Sequence, residues 1–331
     1  MDPVELVAFA RSLIDIDSTT GREGDACRWI SCWLSDRGYN VVEQPVADNR
    51  FNVIATLDRP DVVLSTHIDT VPPFFPSHEE RGLLYGRGAC DAKGILAAQI
   101  AALERLRAEG ERRVGLLVVV GEERGSQGAH AANTRAPGSR FLINGEPTDN
   151  RLGSATRGVY RVRLRATGRA AHSSHPELGE SAIEKLLDAL IELRGLALPE
   201  HPEMGRTYYT VGLMSGGIAP NVVPPSAEAE VNFRTTGSAA DVRVTLEALH
   251  GKVDVEDVVV VPPVALETVP GFETAVFPFT TDIPFLSAWG KPLLLGPGSV
   301  LVAHTAEEHI RIAEMVEAAT HYETLAKHLV A

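Results

Sequence analysis

With 331 residues the chain is long enough for one large domain or two ordinary ones, and 44% hydrophobic with 23% charged residues is a globular balance. A formal net charge of −13, with no Lys/Arg cluster, excludes a non-specific nucleic-acid binder. No run reaches the roughly 18 apolar residues of a membrane span, and the acidic start MDPVELVAFARSLIDID lacks a signal peptide's basic region and cleavage site, so a soluble, cytoplasmic protein is expected. Two helices are predicted between about Asp2 and Arg37. Leu6, Phe9, Leu13 and Ile14 form one apolar stripe, Cys27, Trp29, Ile30, Trp33 and Leu34 another, with Gly21 and Gly24 between them. Cys27, Cys32 and Cys90 make no disulfide framework; the first two are expected to pack as small hydrophobes, which leaves any metal to His, Asp and Glu. Strand-like runs VVEQPV, NVIATL and DVVLSTHI follow, then a helix over about Ala92–Glu109. The apolar run VGLLVVVG reads as a strand buried on both faces, followed by a polar helix (Gln127–Thr134) and another buried strand, FLING. Helices alternating with buried strands predict a layered α/β domain with a largely parallel sheet.

After about Ala155 the pattern changes. YRVRLRAT alternates as a strand with one wet face, Ser181–Leu196 is an amphipathic helix, and TYYTVGLM and AEAEVNFRT are two more strands. A helix over Ser238–Leu249, with Ser238 as N-cap, and the strand VDVEDVVVV complete a β-α-β-β-α-β order, the ferredoxin-like arrangement. From about Pro262 the chain reads as α/β again, with a short strand at Leu293–Leu295 and a long helix over Glu307–Leu329. The expected organisation is one domain made of residues 1–156 and 263–331, with residues 157–262 inserted.

Five carboxylate and histidine clusters punctuate the first domain. In Ser65-Thr66-His67-Ile68-Asp69-Thr70, His67 and Asp69 point to the same side of an extended chain, where a carboxylate can orient a metal-bound imidazole. Gly86-Arg87-Gly88-Ala89-Cys90-Asp91-Ala92-Lys93-Gly94 gives Asp91 a backbone able to approach an ion, although a lone Asp before a helix also reads as a cap. Gly121-Glu122-Glu123-Arg124-Gly125 places two adjacent carboxylates after the most apolar strand; one could bind metal while the other moves a proton. Glu146 follows another apolar strand, where ligands gather in an open α/β sheet, and His304 follows Gly296-Pro297-Gly298. Each cluster alone has a bland reading as a local contact or a solvated loop. Together they supply enough zinc ligands for two ions.

These segments, in this order, resemble the metallopeptidase family that includes acetylornithine deacetylase, succinyl-diaminopimelate desuccinylase, aminoacylase and bacterial glutamate carboxypeptidase. The resemblance rests on THIDTVP, LYGRGACDAKG, GEERGSQGA, NGEPT, GRAAHSSHPELGESAI and GPGSVLVAHTAEE, and it covers nearly the whole chain. It implies a zinc-peptidase catalytic domain with an inserted lid and dimerisation domain, and two Zn²⁺, with Co²⁺ or Mn²⁺ as substitutes. His67 would bind one metal with Asp69 behind it, Asp91 would bridge, Glu122 would be the general base, and Glu123 the second metal's ligand. Glu146 would complete the first site and His304 the second. A cis peptide is implied at Asp91–Ala92. On the insert, His172 would stabilise an oxyanion, typically in the partner subunit's site of a homodimer, and Asn221 and Arg234 would hold substrate.

The implied activity is deacylation of an N-acylated amino acid, first N2-acetyl-ornithine and second N-succinyl-diaminopimelate, with a dipeptidase or carboxypeptidase third. The sequence departs from the family pattern at Asn232, at Glu180 and at Phe279-Thr280-Thr281-Asp282. A scaffold protein of the same fold would have shed ligands, whereas all are present here. A phosphotransferase would want a GxxxxGK[ST] loop, and none occurs.

Overall fold

The computed structural model describes all residues from Met1 to Ala331. Seven α-helices run α1 (Pro3–Ile14), α2 (Gly24–Ser35), α3 (Lys93–Ala108), α4 (Gln127–Ala132), α5 (Ala182–Gly195), α6 (Ala239–Leu246) and α7 (Ile312–Val330). The chain divides into two units, one of Met1–Ser154, Leu266–Ala275 and Thr281–Ala331, the other of Ala155–Ala265 with Val276–Thr280. Within the second unit the Arg157 N–H donates to the Phe277 carbonyl of the short piece (3.0 Å).

The first unit is built on a six-stranded sheet in the order Asn40–Ala47, Arg50–Thr56, Val114–Val119, Val62–His67, Phe141–Asn144, Lys291–Leu294. The first two pairings are antiparallel and the other three parallel. Although its central strands are buried on both faces, period-two alternation survives in what each face meets. Val62, Leu64, Leu116, Val118 and Ile143 join a large core with α1, α2, α3 and α7. Val63, Leu117, Val119 and Leu142 pack on the opposite side with Ala129, Ala132 and Trp289. This is a three-layer α/β/α unit. Register puts His67 opposite Val119 and Ser65 opposite Asn144, so the carboxyl ends of the parallel strands finish at nearly one level.

Local chemistry explains the helices. Asp2 caps α1 by accepting from the Val4 and Glu5 N–H groups while Glu5 returns a bond to the Asp2 N–H, and Pro3 sits in the first turn. The α2 stripe buries Cys27, Ile30 and Leu34, but Cys32 falls off it and is exposed, contrary to the packing expected for it. The C-terminal helix is also shorter than expected. His309–Arg311 pairs as a strand with Leu83–Tyr85, burying Ile310, and α7 begins only at Ile312. The triplets His78–Glu80, Leu83–Tyr85 and His309–Arg311 were too short to show a period.

The second unit has an antiparallel sheet ordered Tyr208–Gly216, Ser226–Thr235, Gly158–Thr167, Asp254–Val261, with α5 and α6 completing the β-α-β-β-α-β chain order. Tyr160, Val162, Leu164 and Ala166 face the core it shares with residues of both helices. The alternate residues form cross-strand pairs: Arg163 with Glu230 (2.6 Å) and Arg165 with Glu256 (3.0 Å). Ser238 and Asp241 make a reciprocal capping box on α6.

Candidate metal centre

Each loop after a parallel strand contributes to one cluster, buried on its His67 side and open at His304. His67 ends its strand, and its Nδ1 lies 3.0 Å from the Asp69 carbonyl oxygen. A carbonyl can only accept, so Nδ1 carries a proton, and in the neutral ring Nε2 keeps its lone pair toward the cluster. The Asp69 carboxylate is farther away, with Oδ1 at 3.5 Å from Nδ1. Its stronger role is to anchor the following loop: Oδ1 accepts from the Glu122 N–H (3.0 Å) and Oδ2 from the Glu123 N–H (3.3 Å) and the Thr20 hydroxyl (2.8 Å). Burial pushes the Asp69 carboxyl up, but these bonds and His67 hold it below its usual value.

Asp91 faces both ways. Oδ1 lies 2.9 Å from His67 Nε2, and Oδ2 lies 3.3 Å from His304 Nε2. Glu146 Oε2 stands 3.9 Å from His67 Nε2, and Glu123 Oε1 stands 2.8 Å from His304 Nε2. Two groups of candidate ligands result, His67–Asp91–Glu146 and Asp91–Glu123–His304, with the donor atoms of each within 4.8 Å of one another. The Asp91–Ala92 peptide is cis. His304 adopts φ +62°, an uncommon conformation for a non-glycine residue. Gly296 allows the loop before it to approach, since a Cβ there would meet the Glu146 carbonyl oxygen at 2.3 Å.

The electrostatics are those of a carboxylate cluster short of positive charge. Burial pushes the Glu122 carboxyl well above the ordinary range, and Asp282, Glu123 and Asp91 push the same way against His67. Burial also raises Glu146, with Glu122 and Asp91 adding to it against His67. Hydrogen bonds to Asp91 and Glu123 raise His304 to about 10. Glu146 Oε1 is buried without a hydrogen-bond partner. Imidazole and carboxylate donors, an orphaned ligand oxygen and excess negative charge together fit divalent cations of the zinc type.

Sequence reasoning missed the supports. Ser18 donates to the Ile68 carbonyl (2.6 Å), Thr20 to Asp69, and the buried Lys93 Nζ to the Ile16 carbonyl (2.6 Å). The polar run Asp15-Ile16-Asp17-Ser18-Thr19-Thr20 carried no signal of its own, because such a run also reads as an ordinary turn between helices. Asp282, in the atypical Thr281-Asp282 segment, is buried and raised to about 6 by that burial. Gly94 opens α3 under the Asp91 loop, and a Cβ there would sit 2.2 Å from the Ala89 carbonyl oxygen. Gly94→Ala is therefore expected to lose ~1–3 kcal/mol of stability in urea unfolding; an unchanged midpoint would show that the loop yields freely.

The three remaining residues lie on the second unit. His172 and Asn221 are brought together: His172 bridges Val222, and the Ser173 N–H donates to the Asn221 carbonyl (3.0 Å). His172 Nδ1 accepts from the Ser174 N–H (3.2 Å), so in the neutral ring Nε2 carries the proton and is a donor. Arg234 is half-buried on the Ser226–Thr235 strand. Burial holds its guanidinium below its usual pKa, and the groups acting on it are Tyr208 and Arg161, neither a carboxylate. Glu180 pairs with Lys185 (2.7 Å).

Comparison with known proteins decides the family. Residues 63–328 match peptidase family M20/M25/M40. The chain belongs to this family. A probable carboxypeptidase of Aspergillus clavatus is 37% identical over 97% of this chain and 81% of its own length. A Staphylococcus aureus tripeptidase structure shares the fold (TM-score 0.85, 20% identity, all of both chains), as does a dinuclear metal-binding M20 peptidase of Bacillus subtilis (TM-score 0.74, 16% identity, 99% and 98% of the two chains). This M20 protein is thus a hydrolase of peptide bonds with a metal-binding site.

Proposed function

We propose that this M20 protein holds two zinc ions and cleaves the amide that joins an acyl group to an amino acid with a free carboxylate. The observation that carries the reading is Asp91, whose two oxygens face two separate histidine–carboxylate groups. His67, Asp91 and Glu146 would hold one ion, and Asp91, Glu123 and His304 the other. Bound ions of this kind acidify water and polarise a carbonyl. Glu122, adjacent to Glu123 but outside both ligand groups, takes the proton from the attacking water as a carboxylate and hands it to the leaving amine. His172, with Nε2 as donor, steadies the oxygen on which charge develops, and Asn221 helps hold the substrate. Arg234 clamps the substrate carboxylate through two parallel hydrogen bonds, and the lack of a carboxylate beside this half-buried cation supports that role. Arg234→Met is expected to lower kcat/KM about 10- to 100-fold while sparing metal content; an unchanged kcat/KM would remove it from the substrate site.

Within this class, N2-acetyl-ornithine is the first substrate to test, followed by N-succinyl-diaminopimelate. The name of the Aspergillus clavatus relative favours a second reading, release of the last residue from a short peptide. Turnover on acetyl-ornithine, succinyl-diaminopimelate and a dipeptide, each with its carboxylate free or amidated, separates these readings. Activity that survives amidation would overturn the carboxylate requirement.

A homodimer through the second unit belongs to the same proposal. Tyr208–Gly216 is an edge strand carrying exposed Val211, Leu213 and Met214, and α5 exposes Leu187 and Ile191. Apolar edges of this kind are ordinarily covered. Sedimentation is expected to give a dimer for the native chain and a monomer for Leu213→Glu; a monomeric native chain would contradict the assignment.

A further inference from the structure

Glu308 is completely buried, four positions beyond His304. Its Oε1 accepts from the backbone N–H groups of Gly88 (3.0 Å), Cys90 (3.1 Å) and Asp91 (3.1 Å). Its Oε2 accepts from Arg87 Nη1 (2.6 Å), and its own carbonyl accepts from the Gly86 N–H (3.2 Å). Arg87 is itself buried and donates through Nε to the Pro73 carbonyl (3.1 Å). Three amides converging on one oxygen form a backbone nest, and here the chain supplies its own anion. The bonds are mutually dependent, because a buried carboxylate stripped of its donors, or amides stripped of their acceptor, would be left desolvated.

This contact joins two stretches of chain that each carry a candidate ligand. The Gly86–Asp91 loop presents Asp91, and the segment ending in Glu308 presents His304. Asp91 meets His67 at 2.9 Å and His304 at 3.3 Å through different oxygens, so a small rotation of its backbone would separate it from one of them. We infer that Glu308 is a positioning residue that sets the spacing of the two ion sites by locking the Asp91 loop to the His304 segment. The inference rests on the two-ion reading above. It assigns Glu308 no contact with substrate.

Two double variants separate the amide nest from the ion pair, each removing the buried charges together. Arg87→Met with Glu308→Gln keeps an oxygen for the three amides, whereas Arg87→Met with Glu308→Ala removes it. Metal-free protein is titrated with Co²⁺ while its visible absorption is followed, and Zn²⁺ affinity is measured against a chromophoric chelator. The glutamine pair is expected to bind both ions with native affinity and spectrum. The alanine pair is expected to lose roughly 10–100-fold in affinity for at least one ion and to change the Co²⁺ spectrum. A folded alanine pair with native affinity and spectrum overturns the inference, as does a glutamine pair damaged as badly as the alanine pair. Should the alanine pair not fold, Glu308→Asp retracts the carboxylate by one methylene with the charge kept. A shifted Co²⁺ spectrum then supports the role and an unchanged one refutes it. A native chain that takes up no Co²⁺ sinks the two-ion reading as well, whereas tight uptake by native chain and variants alike sinks only the role of Glu308.

Discussion

Asp91→Ala is expected to abolish detectable amide hydrolysis and to bring metal content below one ion per chain. The reason is topological. Asp91 is the only residue common to both groups of candidate ligands, and its two oxygens serve different histidines. Removing it leaves each ion two protein donors, fewer than the three that catalytic zinc sites ordinarily use. It also leaves His67 and His304 without the carboxylate between them. Folding should survive, because the loop is held through backbone amides and the Asp91 N–H bond to Glu308 does not need the side chain. Far-UV circular dichroism should match the native chain while metal analysis and turnover fall together. Native metal content and turnover in Asp91→Ala would contradict the shared-ligand assignment.

Glu122→Gln is expected to leave metal content unchanged and to lower kcat by roughly 10²–10⁴-fold. The substitution keeps the size of the side chain and the backbone N–H that bonds to Asp69, and a carboxamide cannot take up the water proton. Glu122 belongs to neither group of candidate ligands, although its neighbour Glu123 does. The paired measurement therefore distinguishes base from ligand. Loss of metal with loss of rate would make Glu122 a ligand, and near-native kcat would remove it from proton transfer.

Much of this architecture was legible in the residues. The buried runs VVLSTH, VGLLVV and FLIN could only be strands covered on both sides, and such strands in an open sheet deliver the loops at their carboxyl ends to one edge. His67, Asp69, Glu122, Glu123 and Glu146 all lie at those ends, so their convergence could be anticipated. Asp91 and His304 sit in glycine-marked loops, joined to the others as possible ligands by residue type, and only the resemblance to a known family gave each a particular ion. The details set by tertiary contacts were not legible. His67 orients through the Asp69 carbonyl more closely than through its carboxylate, and the carboxylate instead anchors the Glu122–Glu123 turn. Glu308 fell within the helix expected over Glu307–Leu329 as one more charge, because its three amide partners lie more than 200 positions away in the chain. Cys32 and the His309–Arg311 strand were misread because a short run shows no period of its own and neighbouring periodicity was extended over it.

The most direct test of the central claim is the metal content of the purified chain, paired with amide hydrolysis before and after chelation. Close to two zinc ions per chain, with activity that chelation abolishes and zinc restores, is the predicted result. A chain that binds no zinc when it is resupplied, or that hydrolyses its substrate equally well without metal, would contradict it.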